Sequence, residues 1–177
     1  MKAKQLNILI TLVLMVVILT IFPAYVSANQ TVEVYKSPTC GCCAKWVEHL
    51  ELHGFTVNTH DVGNQKMRAQ AGVAPSLGSC HTAMVDGYAI EGHVPAEDIK
   101  RLLKEKPRAV GLTVPDMPHG SPGMETGRID PYNVLLIKKS GDTRSATTIY
   151  SQHGALPSSS ATPSLKNDIS ELILRLK

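Results

Sequence analysis

The sequence predicts an α/β domain: a central mixed sheet flanked by helices, with an added C-terminal hairpin and a terminal helix. Three observations carry this. A β-branched, alternating stretch from Thr31 to Ser37 runs straight into a segment with helical apolar spacing. A second strand-then-helix pattern follows it. Then Asp86–Gly87, a strong two-residue hairpin signal, sits between two short apolar runs.

Taken in order, TVEVYKS (31–37) is the first predicted strand. AKWVEHLELHG (44–54) places Trp46, Val47 and Leu50 on one helical face, with Gly54 positioned to end the helix. FTVNTHDV (55–62) reads as a second strand and NQKMRAQAG (64–72) as a short helix closed by glycine. CHTAMVDGYAIEGHV (80–94) holds two strands around Asp86–Gly87. PAEDIKRLLKEK (95–106) is a helix with proline in its first turn, acids early and bases late. A parallel pair joined by a helix, then a hairpin and a closing helix, is the thioredoxin-like arrangement. In it, the loop after the first strand carries reactive cysteines at a helix N-terminus. Residues 109–131 contain four prolines and four glycines and hold no period, so they read as a long functional loop. YNVLLIKKSGDTRSATTIYSQHG (132–154) reads as a hairpin around Ser140, Gly141 and Asp142 that extends the sheet. ALPSSSATPS (155–164) has linker composition. The last segment sets Leu165, Ile169, Leu172, Ile173 and Leu176 on one helical face, suited to docking on the domain or on a partner.

Residues 1–28 predict a secretory signal peptide. Lys2 and Lys4 precede an apolar run from Ile8 to Phe22, Pro23 breaks it, and Val26-Ser27-Ala28 supplies the small residues for cleavage after Ala28. The run is short for a membrane span, which needs roughly twenty residues. Cleavage leaves a domain over 29–151 and a linker plus amphipathic helix over 152–177, with no stable membrane insertion and a periplasmic location. The formal charge of +3 falls toward neutrality without the leader lysines. That excludes nucleic acid as a partner, which calls for a concentrated basic face.

Three of the four cysteines, Cys40, Cys42 and Cys43, fall within four positions, just where the first strand gives way to the helix. In an exported chain an even number of cysteines first suggests structural disulfides. The spacing argues against that, because adjacent cysteines pair poorly and clustered ones close almost no loop. Free N–H groups and the helix dipole favour thiolate here, below the free pKa of about 8.5. Cys40 and Cys43 alone would suit a periplasmic thiol–disulfide oxidoreductase, with Cys40 as nucleophile and Cys43 as resolving thiol. Cys42 has no use in that chemistry. A third thiolate instead suits a soft ion, Cu(I) first and Zn(II) next. The predicted topology brings the fourth sulfur, Cys80, to the same place, with His81 directly after it; Pro75 precedes it and helps fix the loop. Met117 and Met124, with His119 between them, add soft donors among prolines and glycines, although core filling is the ordinary role of methionine. His93 reads as a ligand or a loop residue, and His49, His53, His60 and His153 as surface residues.

SPTCGCCAKWVEHLELHGF, SCHTAMVDGYAIEGHVPAEDIKRLL and VGLTVPDMPHGSPGME together resemble the CopG-type periplasmic metal-binding proteins of bacterial copper-resistance systems, over about residues 32–150. The resemblance implies a thioredoxin-like fold that binds copper, as one Cu(I) or as several ions in a redox-active thiolate cluster, with zinc and silver as lesser alternatives. It implies Cys40, Cys42, Cys43 and Cys80 as ligands, with Met117, Met124 and His81 as supplements. The family commonly shows Gly where this chain has Asp116. A copper efflux or resistance protein is the partner this implies. The reading favours metal binding over enzymatic thiol exchange.

Overall fold

The structure, a computed structural model, describes residues 4–5, 30–139 and 146–154. The leader expected over 1–28 and the linker and helix expected over 152–177 lie outside these residues, apart from their described fringes. Helices are α1 (Gly41–Leu52), α2 (Gln65–Gln70) and α3 (Ala96–Glu105). Strands are β1 (Thr31–Lys36), β2 (Thr56–His60), β3 (His81–Val85), β4 (Tyr88–Glu91), β5 (Ala109–Thr113), β6 (Tyr132–Lys138) and β7 (Thr147–His153). They form one seven-stranded sheet in the order β2-β1-β3-β4-β5-β6-β7. β1 pairs parallel with β2 and antiparallel with β3, β3 and β4 form the expected hairpin, and β5 is parallel to β4. The sheet is therefore mixed, as predicted. Among the described residues no helix is long and apolar enough to cross a membrane.

Local chemistry explains the boundaries. β1 alternates because Val32 and Val34 point into the core while their neighbours face outward. α1 buries Cys43, Trp46, Val47 and Leu50, the stripe its spacing requires. It stops at Gly54, whose φ of +86° suits the left-handed turn. There the Gly54 amide donates to the Glu51 carbonyl and the Phe55 amide to that of Leu50, at 3.0 and 3.1 Å. α3 turns Ile99 and Leu102 into the same core, opposite Trp46, Ile90 and Leu112.

One expectation is corrected. Residues 109–113, read as part of an aperiodic loop, form strand β5. Four of its five residues are buried, so the strand lies between covered faces and shows no alternation to read. β6 and β7 then pair as the predicted hairpin, and its tip at Ser140, Gly141 and Asp142 lies outside the described residues.

The sheet order positions everything that follows. β1 ends where α1 begins, so Cys40, Cys42 and Cys43 lie at that end of the strand. The β1–β3 register pairs Lys36 with His81, which brings the start of β3 beside them.

Gly111 tests how the outer three strands are joined on. It pairs with Ala89 of β4, and a Cβ on it would stand 1.7 Å from the Ala89 carbonyl oxygen. Gly111→Ala should destabilise the fold by about 3 kcal/mol, at the upper end of overpacking costs, because both clashing partners are backbone. Denaturant midpoints of the two proteins check this.

Candidate metal centre

Cys40 is the N-cap of α1, in extended conformation and with no side-chain cap. Gly41, Cys42 and Cys43 form the first turn, so their amides are among those that no helical carbonyl satisfies. The sulfurs of Cys40, Cys42, Cys43 and Cys80 all lie within 4.8 Å of one another. Cys40 and Cys43 are joined in a disulfide, while Cys42 and Cys80 are free. The Cys42 sulfur is 3.5 Å from that of Cys40. Thiolates at about 2.3 Å from one tetrahedral ion would sit about 3.8 Å apart. With the disulfide opened by a two-electron reductant, four thiols starting within 4.8 Å of one another would need only small shifts to reach that spacing, so the donor set fits a soft ion.

Two imidazoles complete the group. Cys80, His81 and His93 also offer ligand atoms within 4.8 Å of one another. His93 Nδ1 lies 2.7 Å from the Pro122 carbonyl oxygen, so this nitrogen carries the proton. His93 Nε2 then turns its lone pair to the Cys80 sulfur at 3.1 Å. A ring that donates one N–H to a carbonyl and offers the other nitrogen is the usual arrangement of a metal-bound histidine. His81 Nδ1 stands 3.4 Å from the same sulfur, and its Nε2 is buried with no hydrogen-bond partner among the described residues. The His81 ring packs 4.2 Å from that of Trp46, whose Nε1 donates to the Val94 carbonyl at 2.9 Å. Burial first, then His93, pushes the His81 pKa down to about 3, and burial lowers that of His93. Both rings are therefore neutral and able to ligate. Burial first, then Cys42, pushes the Cys80 thiol up to about 12, so an ion binding there must displace a proton.

The segment 115–124 covers this end of the sheet. Its backbone closes on itself, the Gly120 amide donating to the Met124 carbonyl at 2.9 Å and the Met124 amide to that of Ser121 at 2.8 Å. A Cβ on Gly123 would meet the Cys42 carbonyl oxygen at 2.6 Å and the Trp46 nitrogen at 2.9 Å, so the loop lies directly on the first turn of α1. Met124 is thereby next to a residue touching the cysteine turn. Met117 is 48% exposed and lines an open cleft of about 500 Å³ with Asp116, His119 and Tyr132. Asp116 has φ +62°, a left-handed conformation in which glycine is the easy residue. His119 Nδ1 is 2.6 Å from Thr126 Oγ1.

The remaining histidines lie elsewhere. His60 pairs with Glu33 at 2.6 Å and His153 with Asp98 at 2.7 Å. His53 caps its own helix through the His49 carbonyl, and His49 Nε2 accepts the Ala96 amide at 3.1 Å, capping α3. His93 is the residue the sequence reading left undecided. A signal for it existed: the two-residue turn pairs Val85 with Tyr88 and Thr82 with Glu91, and the same register carried two steps further sets Cys80 opposite His93.

Residues 77–124, which include Cys80, His81 and His93, match the family described as "Protein of unknown function, DUF411". The chain is similar to the solved structure "Copper resistance protein copG- Form 1" at 40% identity and TM-score 0.66, covering 72% of this chain and 100% of that one. It is similar to "Copper resistance protein copG- Form 2" at 40% identity and TM-score 0.65, covering 71% and 99%. No curated protein matches.

The contact at Gly123 predicts how the site is closed. Gly123→Ala forces the loop off α1 at a local cost of about 1–3 kcal/mol. At 1.4 kcal/mol per factor of ten, this raises the open population roughly 5- to 150-fold. Alkylation of Cys42 and Cys80 under native conditions, followed by mass spectrometry, should accelerate by that range. An unchanged rate would show that the loop does not cover them.

Proposed function

Because the chain belongs to the CopG copper-resistance family, we propose that it is an exported copper-binding protein that takes up Cu(I) through Cys40, Cys42, Cys43 and Cys80. The observation that carries this is the approach of four sulfurs within 4.8 Å at one end of the sheet. His81 and His93 add two neutral nitrogens beside Cys80. Met117 and Met124 are supplementary thioether donors from the covering segment. Three cysteines in four positions can bridge ions as well as chelate one, so a small Cu(I)–thiolate cluster is the natural extension.

Copper is favoured over zinc by donor chemistry. Thiolate, thioether and imidazole together suit Cu(I), and copper stands at the top of the affinity order for divalent ions as well. Silver, equally soft, is the closest competitor. In the periplasm, capture at a half-buried thiolate site keeps copper from reacting elsewhere, and exchange through shared thiolates allows transfer to an efflux or resistance partner. Metal loading begins with reduction of the Cys40–Cys43 disulfide by an external dithiol, which supplies two electrons and two protons. Cu(I) then displaces the thiol protons as it binds.

The same disulfide favours a second reading, thiol–disulfide exchange. Cys40 is partly exposed at the helix start and Cys43 is fully buried, the placement of an attacking and a resolving thiol.

Anaerobic titration of the reduced protein with Cu(I), read by thiolate-to-copper absorption and competition with a coloured chelator, separates the two. Loss of residues that merely support metal ligands costs roughly 10–100-fold in affinity, so Cys42→Ser and Cys80→Ser should each exceed that. Disulfide reductase turnover that survives both substitutions but vanishes in Cys40→Ser, with Cu(I) uptake unaffected by them, would replace the metal reading with the enzymatic one.

A further inference from the structure

We propose that Glu91 and Arg68 are positioning residues for Cys80: their buried ion pair grips the backbone of Ser79 on both sides and holds the distant thiol against the cysteine turn. The inference rests on the metal-binding reading above and adds a device to it.

Glu91, the last residue of β4, is fully buried. Its Oε1 accepts the Ser79 amide at 2.6 Å and Arg68 Nε at 2.9 Å, and its Oε2 accepts Thr82 Oγ1 at 2.6 Å. Arg68 reaches from α2 to donate through Nη2 to the Ser79 carbonyl, which also accepts from Asn64 Nδ2 at 3.2 Å. Ser79 Oγ donates to the Asp116 carbonyl at 2.6 Å. The residue before Cys80 thus has its N–H, its C=O and its hydroxyl all held, by groups from three other segments of the chain. Little freedom is left for the Cα that follows.

The surroundings are shaped for this grip. A Cβ on Gly78 would stand 2.7 Å from Arg68 Nη1. A Cβ on Gly92, at φ +72°, would stand 2.6 Å from both Ser79 Oγ and the Val114 carbonyl oxygen. The absence of side chains at both positions admits the clamp. Stability alone is a poor reason for the arrangement, because a buried ion pair is often no better than an apolar pair of the same size. Groups that orient a ligand-bearing backbone have a different role, since small displacements of a donor weaken a metal site. Through Asp116 the same node also anchors the segment that leads to Met117.

The test uses dibromobimane, which becomes fluorescent on bridging two neighbouring thiols. In protein carrying the Cys40–Cys43 disulfide, Cys42 and Cys80 are the free pair, and peptide mapping confirms which thiols are joined. Arg68→Ala should slow bridging by at least about tenfold, the scale that an ångström of misplacement reaches. Arg68→Lys, which keeps the charge and is expected to fold even if the alanine variant does not, should slow it less, because an ammonium lacks the planar fork that spans Glu91 and the Ser79 carbonyl. In a second arm, Arg68→Lys should weaken Cu(I) binding of the reduced protein about 10–100-fold, and should have no such effect in a Cys80→Ser background. The inference is overturned if the unaltered protein is not bridged, if Arg68→Lys leaves bridging unchanged, or if its Cu(I) loss is the same with and without Cys80. Slowed bridging in a protein that takes up no Cu(I) would uphold the clamp and remove the metal reading.

Discussion

The antiparallel register of β1 against β3 is the constraint on which the site depends. Lys36 faces His81 across that pairing, so the last residue of one strand and the first of another lie side by side. The chain before β3 must then arrive where the chain after β1 leaves, which sets Cys80 beside Cys40 at the N-cap and Cys42 and Cys43 in the first turn of α1. A slip of one residue would turn the buried Val32 and Val34 outward, so the hydrophobic core that fixes the strand faces also fixes the meeting of the sulfurs. The hairpin repeats the logic. Its tight turn sets β4 against β3, and the register that buries Ile90 delivers His93 opposite Cys80.

Around that meeting point the protein buries two imidazoles and fixes polar groups. Trp46 lies under His81, the Pro122 carbonyl orients His93, and Glu91 with Arg68 holds the approach to Cys80. Among the described residues, the side chains set against the Cys80 thiol are the other three cysteines and two uncharged rings. Such surroundings do not activate a thiol for exchange, which needs thiolate and access. They do favour a cation that brings its own charge and accepts sulfur and nitrogen together. The covering loop serves the same end, lying close enough on α1 that Gly123 has no room for a side chain.

Much of this was legible in the sequence, for reasons that can be named. Alternation marked β1, the Asp86–Gly87 turn marked the hairpin, and Trp46, Val47 and Leu50 marked the inner face of α1. From that order alone Cys80 could be carried across thirty-seven residues to Cys43. β5 was hidden because a strand covered on both sides has no period, and Gly111 beside a proline-rich run looks like loop. His49 looked like surface and proved to cap α3. Glu91 and Arg68 were invisible because each reads as an ordinary polar residue of its element, and only tertiary packing joins a β4 carboxylate to an α2 guanidinium. His93 lay between these cases, since strand register alone reveals it.

One feature of the site bears on its energetics. The buried Nε2 of His81 has no partner among the described residues. Leaving such a nitrogen unsatisfied costs about 1–3 kcal/mol, and native proteins rarely tolerate this without a use for it. The Cys80 sulfur can accept from His81 Nδ1–H while its own proton goes to His93 Nε2, so both near nitrogens are served and Nε2 of His81 is the atom left over. An ion bound among Cys80, His81 and His93 would take the lone pairs of the two nitrogens nearest the sulfur, His81 Nδ1 and His93 Nε2. Anything that binds the folded chain and not the unfolded one stabilises it. By that linkage an ion held by these sulfurs and nitrogens would stabilise an arrangement that packing has already set in place.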